Sequence, residues 1–182
     1  MAKIGKATLA GGCFWCVEAV FELVEGIDEV VSGYTGGTIS DPTYEEVCDE
    51  TTGHAEAIQI HFDMEQIDYV TLLEIFFAYH DPTTLNRQGA DIGTRYRSEI
   101  FFHDEVQEEI ANSMISTLES QNIFPNPIVT KVSPSTIFYK AEKYHQSFFK
   151  ENSYQPYCQF VIAPKVTKLR EKHSDLLKRN HH

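Results

Sequence analysis

The segment AEAIQIHF at residues 55–62 restricts the fold of this chain most, because it is the clearest strand in the sequence. Ile58, Ile60 and Phe62 alternate with polar residues, and a period of two predicts a strand with one apolar face and one polar face. The apolar face of a sheet made from such strands must be covered by a second layer. We therefore expect helices packed against a sheet.

The segments around this strand predict the order of the other elements. The patterns indicate strands at 6–10, 28–37, 55–62, 96–102 and 128–132, and helices at 14–25, 69–80, 104–120 and 141–150. The order β-α-β-β-α-β predicts a mixed α/β (α+β) fold: a two-layer sandwich with a mixed central sheet of the split βαβ, ferredoxin-like type, plus helical and loop additions. Two connections, 36–53 and 81–94, are longer than usual, and ordered loops of that length are often functional.

The length of 182 residues predicts one domain, 1–182, with a basic extension at 165–182. That extension carries six Lys and Arg residues against two acids. Its apolar residues recur at helical spacing: Val166, Leu169, Leu176 and Leu177. We therefore expect an amphipathic helix packed on the domain rather than a membrane anchor. His181 and His182 are either native residues or the remnant of a tag.

Charge and hydropathy exclude several classes of partner. A net charge of −12 and a pI of about 5.0 argue against nucleic acid, which needs a basic surface. No stretch approaches the roughly 18 to 20 apolar residues of a membrane span. The N-terminal sequence MAKIGKATLAGG has no apolar segment of signal-peptide length. We therefore expect a cytoplasmic monomer that binds neither nucleic acid nor membrane.

The segment GGCFWC at residues 11–16 carries the most informative chemical pattern. Cys13 follows two glycines, which allow a sharp turn, and opens a helix. Unpaired N–H groups and the positive end of the helix dipole lower the pKa of a thiol at such a position. Cys13 is therefore a candidate nucleophile; the alternative is a small buried residue at a helix start.

Three further cysteines, Cys16, Cys48 and Cys158, leave several alternatives open. Cys16 shares a helix face with Cys13 and could form a bridge to it, or it is a buried thiol of the core. A four-cysteine zinc site is disfavoured by the bulky aromatic residues between the first two ligands and by the lack of a second CxxC or CxxH. We predict no metal site and no cofactor.

The residues after Cys13 form the first turns of the predicted helix. Phe14 and Trp15 are adjacent and point about 100° apart, so they cannot both face the core squarely. At least one of them should lie exposed near the sulfur, where it could form the wall of a pocket for a methyl or thioether group. Ordinary core packing is the alternative. The same helix places Glu18 on its polar face.

Glu56 and Tyr96 each lie an even number of positions from the apolar residues of their predicted strands, and they should therefore share the apolar face. A carboxyl on an apolar face should be desolvated, with a raised pKa, and available as a proton donor near neutral pH. The alternative is that both residues lie at the open ends of their strands and reach water. Asp91 lies in a glycine-rich loop, where its position alone predicts a turn residue.

Several separated motifs agree on one family. They are GGCFWC (11–16), GYTGG (33–37), DPTYEEVC (41–48), TGHAEAIQIHFD (52–63), HDPTTLNRQGADIGTRYRS (80–98) and AEKYHQ (141–146). Together these motifs resemble peptide methionine sulfoxide reductase A, and the resemblance spans about residues 7–164. It implies reduction of methionine S-sulfoxide, free or in proteins, on an α/β fold with a central mixed sheet.

The resemblance also implies roles for the residues around the first cysteine. Cys13 matches the nucleophile that attacks the sulfoxide sulfur, and Phe14 and Trp15 match the apolar wall that receives the substrate methyl. The attack leaves Cys13 as a sulfenic acid and releases methionine. A second thiol then condenses with the sulfenic acid, and thioredoxin reduces the disulfide.

The same comparison implies roles for polar residues elsewhere in the chain. Glu56 matches the acid that protonates the sulfoxide oxygen, and Tyr44 and Tyr96 match hydrogen-bond donors to that oxygen. Asp91 matches a further polar member of the pocket. These residues complete the predicted substrate-binding and catalytic set.

The chain departs from the family in the residues that recycle the enzyme. Many members have Gly at the position of Cys16, and many end in a glycine-rich tail with two cysteines, whereas Cys158 stands alone here. We rank Cys158 first as the resolving thiol, Cys16 second and Cys48 third. Two other functions stay open: a general CxxC thiol-disulfide oxidoreductase, and a non-catalytic zinc-stabilised binding module.

Overall fold

The computed structural model describes residues 3–179. The strands are β1 (Ile4–Gly11), β2 (Ile27–Thr35), β3 (Ala55–Asp63), β4 (Arg87–Gln88), β5 (Asp91–Ile92), β6 (Ser98–Phe102), β7 (Lys131–Pro134) and β8 (Tyr139–Lys140). The helices are α1 (Phe14–Phe21), α2 (Tyr44–Cys48), α3 (Tyr69–Ala78), α4 (Glu105–Ser120), α5 (Phe148–Glu151) and α6 (Ala163–Lys172). His181 and His182 lie outside the described residues.

The central sheet has six strands in the order β7-β6-β1-β3-β2-β8. Strand β1 pairs antiparallel with both β3 and β6, and β2 pairs antiparallel with β3. The four strands β6-β1-β3-β2, crossed by α1 and α3, form the split βαβ unit that the order of elements predicts. Strand β8 adds to one edge in antiparallel orientation and β7 adds to the other in parallel. The predicted α/β fold with a mixed central sheet is confirmed.

The main core lies between one face of this sheet and the helices. The alternating residues Ile58, Ile60 and Phe62 of β3 and Leu9 of β1 are fully buried in it, together with the apolar residues of α1 and α3. The opposite face of the sheet has a smaller apolar cluster built from Ala10, Ala55, Ala57 and Phe101. Strand β3 therefore has apolar residues on both faces at its first end, and the polar residues Gln59 and His61 further along are half-buried.

Both long connections have more structure than the sequence predicts. The segment 36–53 contains helix α2, which begins with a capping box between Thr43 and Glu46. His54 fixes the far end of this segment, because its ring bonds to the backbone of Gly37 and Ile39. The segment 81–94 contains the two-residue strands β4 and β5, which pair with each other.

The C-terminal extension packs on the domain, as its periodicity predicts. Val166 and Leu169 of α6 are buried. The periodicity also places Leu176 and Leu177 on the same helix, but α6 ends at Lys172 and they follow a short 3₁₀ turn. Their backbone instead bonds to residues 23–25 after α1. Among residues 3–179, no helix has the length and apolar character that a membrane crossing requires.

Candidate active site

Cys13 lies between the end of β1 and the first turn of α1. Gly12 has φ of +96°, a left-handed conformation that residues with a Cβ rarely adopt. Cys13 then occupies the N-cap position, and its carbonyl accepts the N–H of Cys16 at 3.1 Å. The residue is only 7% exposed. The local sequence therefore places the sulfur at the start of a helix, as predicted.

The sequence predicts a lowered pKa for the Cys13 thiol, and this prediction is wrong. Burial raises the pKa of the thiol well above its usual value, and a hydrogen bond to Cys16 and the charge of Glu56 raise it further. The backbone N–H of Trp15 does lower it, as a helix start should. Desolvation outweighs that contribution because the sulfur is almost completely enclosed.

Glu56 is buried beside the start of α1. It is 2% exposed, and its Oε1 accepts the backbone N–H of Phe14 at 3.1 Å. Burial raises the pKa of this carboxyl to about 8, although the Phe14 N–H and the charge of Arg95 act in the opposite direction. The expectation from strand parity, a desolvated carboxyl that keeps its proton near neutral pH, is confirmed.

Two tyrosines approach the same carboxyl from different segments. Tyr44 is the first residue of α2, and Tyr96 lies in a 3₁₀ turn. Burial raises the pKa of both phenols, and the charge of Glu56 raises both further. The sequence pattern places Tyr96 at the start of a strand, but β6 begins only at Ser98. The turn after Gly93, rather than strand parity, brings the Tyr96 phenol to the site.

Phe14 and Trp15 divide between the core and the site. Phe14 is fully buried, whereas Trp15 is only partly buried. The indole stacks on Phe148 with ring centroids 3.7 Å apart and planes 7° apart. Its Nε1–H donates to Nδ1 of His145 at 3.0 Å. The prediction that the two rings cannot both face the core is confirmed, and the orientation of the indole is fixed by a segment far along the chain.

Asp91 belongs to the site through Tyr157. The Tyr157 hydroxyl donates to Oδ2 of Asp91 at 2.8 Å and lies 3.5 Å from Sγ of Cys16. The charge of Asp91 also raises the pKa of Glu56. Position alone predicts a turn residue here, whereas the family resemblance implies a pocket residue. The contacts place Asp91 with the thiols.

The four cysteines, all free, lie at different distances from the reaction centre. Cys16 follows Cys13 by three positions, and each of the two thiols shifts the pKa of the other. Cys158 is completely buried in a π-helical turn, and the charge of Cys16 raises its pKa in addition to burial. Cys48 is the last residue of α2. Among the other thiols of the described residues, Cys16 is the one that raises the pKa of Cys13.

Within residues 3–179, no three side chains of His, Cys, Asp or Glu are grouped to hold a metal ion.

Sequence reasoning missed several residues that support the site. The helical pattern assigns Glu18 to the polar face of α1, but it is buried and accepts the Ser32 hydroxyl at 2.9 Å and the Phe148 N–H at 3.2 Å. Glu142 accepts the Tyr34 hydroxyl and the backbone N–H of Tyr44. Periodicity within α1 could not reveal the Glu18 contacts, because its partners come from β2 and α5.

Two of the missed residues had a partial signal in the sequence. His145 lies in the motif AEKYHQ, which supports the family resemblance without suggesting a contact with Trp15. Tyr157 directly precedes Cys158, so attention to that cysteine leads to the right segment. In both cases the motif locates the segment, and only the fold identifies the partner.

The arrangement brings together a thiol, a buried carboxyl with a raised pKa and two phenols. A thiol sulfur can attack an electrophile there while the carboxyl donates a proton. Trp15 provides an apolar surface beside the sulfur. A second thiol in contact with the first can then form a disulfide. These features suit the reduction of a polar, oxidised sulfur group that carries apolar substituents.

Comparison with known families identifies this chemistry. The family model of peptide methionine sulfoxide reductase matches residues 5–177. The chain is 52% identical to peptide methionine sulfoxide reductase MsrA of Chromobacterium violaceum, over 94% of this chain and 98% of that protein. It is 51% identical to the MsrA of Thermus thermophilus, over 94% of this chain and 97% of that protein.

Solved structures agree with this assignment. Mxr1 from Saccharomyces cerevisiae in reduced form superposes with a TM-score of 0.78 and 32% identity, over 86% of this chain and 90% of that one. Methionine sulfoxide reductase A of Corynebacterium diphtheriae gives 0.72 and 29%, over 84% and 78%. The chain therefore belongs to the peptide methionine sulfoxide reductase family and is an oxidoreductase that reduces methionine sulfoxide.

Proposed function

We propose that this chain reduces the S epimer of methionine sulfoxide, free or in proteins, with Cys13 as nucleophile and Glu56 as acid. One observation carries the proposal: Oε1 of Glu56 accepts the N–H of Phe14, the residue that directly follows Cys13. Burial raises the Glu56 pKa to about 8. A protonated carboxyl therefore lies beside the attacking sulfur at neutral pH.

The acid is needed because a sulfoxide sulfur is a poor electrophile until its oxygen is protonated. Glu56 supplies that proton, and the hydroxyls of Tyr44 and Tyr96 donate hydrogen bonds to the same oxygen. The Cys13 sulfur attacks, and oxygen passes from the substrate sulfur to the Cys13 sulfur. Cys13 is oxidised by two electrons to a sulfenic acid, and the substrate is reduced to methionine.

The neighbouring Cys16 thiol supplies a route for the Cys13 proton. The interaction with Cys13 lowers the pKa of Cys16 to about 7, the charge of Lys165 lowers it further, and burial acts in the opposite direction. Cys16 is therefore the thiol of the pair that ionises first. It accepts the proton from Cys13 as the attack begins, which offsets the raised pKa of the nucleophile.

The indole of Trp15 and the ring of Phe14 receive the methyl group of the substrate. Phe148 and His145 hold the indole from two sides. In this proposal, a rigid apolar wall lies on one side of the substrate sulfur and the acid lies on the other. This arrangement distinguishes the methyl group from the oxygen. Selection of one sulfoxide epimer follows, because exchanging these two groups would direct the oxygen at the wall.

Cys16 is our first candidate for the thiol that resolves the sulfenic acid, ahead of Cys158. This order reverses the ranking from the sequence. Cys16 follows Cys13 on the same helix and shifts its pKa, whereas Cys158 is completely buried in a π-helical turn far along the chain. Cys16→Ser should therefore accumulate the sulfenic acid, detectable by trapping with dimedone, and Cys158→Ala should not. The opposite pattern would restore the sequence ranking.

Thioredoxin is the proposed reductant of the resulting disulfide. A solved structure holds Mxr1 from Saccharomyces cerevisiae in complex with Trx2, and the reduced form of Mxr1 is 32% identical to this chain. A dithiol protein can attack the Cys13–Cys16 disulfide through a mixed disulfide and regenerate both thiols. We further propose that the chain acts as a monomer, as expected from its sequence.

Turnover of the separated R and S epimers of methionine sulfoxide with a thiol reductant tests the proposal. We expect turnover of the S epimer alone and its loss in Cys13→Ser. Cys48→Ser serves as the matched control, because Cys48 is the last residue of α2, whereas Cys13 lies at the start of α1. Equal use of both epimers, or full activity in Cys13→Ser, would contradict the proposal.

A further inference from the structure

We propose that Tyr157 is the positioning residue of the recycling step: its hydroxyl holds the Cys16 thiol against Cys13 and passes the thiol proton to Asp91. This inference rests on the proposed function, because it concerns the step after formation of the Cys13 sulfenic acid. It gives a task to a phenol that the reduction of the sulfoxide itself does not use.

The position of the hydroxyl carries the proposal. The Tyr157 oxygen lies 3.5 Å from Sγ of Cys16 and 2.8 Å from Oδ2 of Asp91. Cys16 belongs to α1 and Asp91 to β5, and the two residues are 75 positions apart in the sequence. Tyr157 is therefore the one side chain of the described residues that hydrogen-bonds to both groups.

The ring of Tyr157 is fixed independently of its hydroxyl. It packs edge-on against Trp15, with centroids 5.9 Å apart and planes 76° apart. Phe148 covers Trp15 in a parallel stack. Because the ring is held by aromatic contacts, removal of the hydroxyl should leave the ring where it is.

The single proton of the phenol determines what the hydroxyl can do for Cys16. Once Cys16 has taken up the Cys13 proton in the first step, the phenol that donates to Asp91 can only accept from Cys16, so the S–H of Cys16 points at the phenol. This leaves the lone pairs of the Cys16 sulfur free to face Cys13. The thiol is thereby held in an orientation suited to attack on the oxidised Cys13 sulfur.

The chemical step balances along this path. The proton leaves Cys16 for the phenol oxygen as the phenol proton moves to the Asp91 carboxylate, so that Tyr157 stays neutral throughout. The Cys16 thiolate attacks Sγ of Cys13, an S–S bond forms, and the S–O bond of the sulfenic acid breaks. The departing hydroxide takes up one proton from solvent and leaves as water, and Asp91 then returns the proton that it received to solvent. The net change is one thiol plus one sulfenic acid to one disulfide plus water.

The test separates this step from the first one. Cys158→Ala is the background, so that Cys158 cannot contribute, and one equivalent of methionine S-sulfoxide is added without reductant. Released methionine reports the first step, and the lifetime of the dimedone-trapped sulfenic acid reports the second. In Tyr157→Phe we expect the decrease in the rate of disulfide formation to be about ten times larger than the decrease in the rate of methionine release. This ratio is equivalent to about 1.4 kcal/mol.

Tyr154→Phe is the matched control. Tyr154 lies three positions before Tyr157 in the same segment but is 71% exposed. The Tyr154→Phe variant also removes a hydroxyl from a tyrosine ring, and it should leave both rates unchanged. A general disturbance of the segment would instead appear in both tyrosine variants.

A second variant tests the path to Asp91. Asp91→Asn cannot accept a proton from the phenol, so we expect disulfide formation to slow more than methionine release, although the loss of the Asp91 charge near Glu56 also changes the first step. The double variant Tyr157→Phe with Asp91→Asn should be no slower in this step than the slower single variant, because both changes interrupt one path. Independent, multiplying effects would overturn the assignment of Asp91 as the proton acceptor.

The outcomes distinguish this inference from the proposed function. Equal slowing of both steps in Tyr157→Phe, or slowing of neither, overturns the role of Tyr157 while sulfoxide reduction stands. Mapping of the wild-type disulfide to Cys13 and Cys158 also overturns it. Absence of released methionine from the wild type would instead contradict the proposed function on which the inference rests.

Discussion

Glu56 has the two properties that an acid catalyst of this reaction needs at neutral pH. Its carboxyl is enclosed, so it keeps its proton, and its hydrogen bond from Phe14 fixes it beside the nucleophile. A free carboxyl with its usual pKa would be ionised and could not donate. In the proposed mechanism, burial makes this common side chain into a proton donor.

The pH dependence of the first step should report this carboxyl. Because the Glu56 pKa is raised to about 8, the protonated form that donates is present below that pH and lost above it. We predict that single-turnover methionine release declines as pH rises beyond about 8. Glu56→Gln should lower the rate by about 10²- to 10³-fold and remove this decline.

Glu29→Gln is the control for that measurement, because Glu29 is an exposed residue of β2. It should keep both the rate and the decline. A Glu56→Gln enzyme that retained the high-pH decline would show that another group is responsible.

The residues of the site differ in how well the sequence predicts them, and the reason is the range of their contacts. Cys13 and Glu56 follow from local pattern, a helix start and a strand parity. The pattern places Tyr96 in a strand, because the sequence does not show that the turn after Gly93 delays β6. The bond from Trp15 to His145 joins positions 130 apart, and no local pattern contains such a pair.

At the scale of elements, the segment before α5 is tied to α1 and β2 by successive residues. Gln146 bonds to both backbone groups of Ser32, and Ser147 bonds to Glu22. The next residue, Phe148, donates its N–H to Glu18 and stacks on Trp15. Helix α5 has only four residues, so these contacts, and not its own hydrogen bonds, hold it in place.

We predict that Phe148→Ala loosens the indole wall. The variant removes the ring that covers one face of Trp15, so the KM for methionine sulfoxide should rise about tenfold while kcat changes less. Because Trp15 is the only tryptophan, its fluorescence emission reports the change directly and should shift to longer wavelength.

Phe149→Ala, from the same helix, is the matched control and should leave the emission of Trp15 unchanged. Unaltered emission and KM in Phe148→Ala would contradict the view that α5 supports the substrate pocket.

At the scale of the whole molecule, alternation and helical periodicity are sufficient to predict the order of the main elements and the type of sheet. They do not predict α2, which is short and is stabilised by a capping box and by the bond from Tyr44 to Glu142. They also extend the last helix through Leu177, whereas that residue pairs with Val24. Local patterns fail where tertiary contacts decide the backbone.

The buried carboxyl of Glu18 should make folding stability depend on pH. Burial raises the pKa of Glu18 to about 7, against an ordinary value of 4.5. Between these values the folded protein keeps a proton that the unfolded chain has lost. The stabilisation is therefore complete below about pH 4.5 and is lost as pH rises to about 7, by up to about 1.4 kcal/mol per pH unit.

Denaturant unfolding of the wild type and Glu18→Gln across pH 4 to 8 checks this prediction. The difference in free energy of unfolding, wild type minus variant, should fall with rising pH up to about 7 and then level off. Glu25→Gln, an exposed position that follows the same helix, should give a flat difference. A flat difference for Glu18→Gln as well would show that this carboxyl ionises normally.

The central claim is that Cys13 takes oxygen from methionine sulfoxide and that Cys16 then closes a disulfide with it. The most direct measurement mixes the reduced protein with one equivalent of methionine S-sulfoxide in the absence of reductant and then maps the disulfides by mass spectrometry. We predict one methionine released per chain and a bridge between Cys13 and Cys16. Methionine release without any oxidation of Cys13, or no methionine at all, would contradict the account.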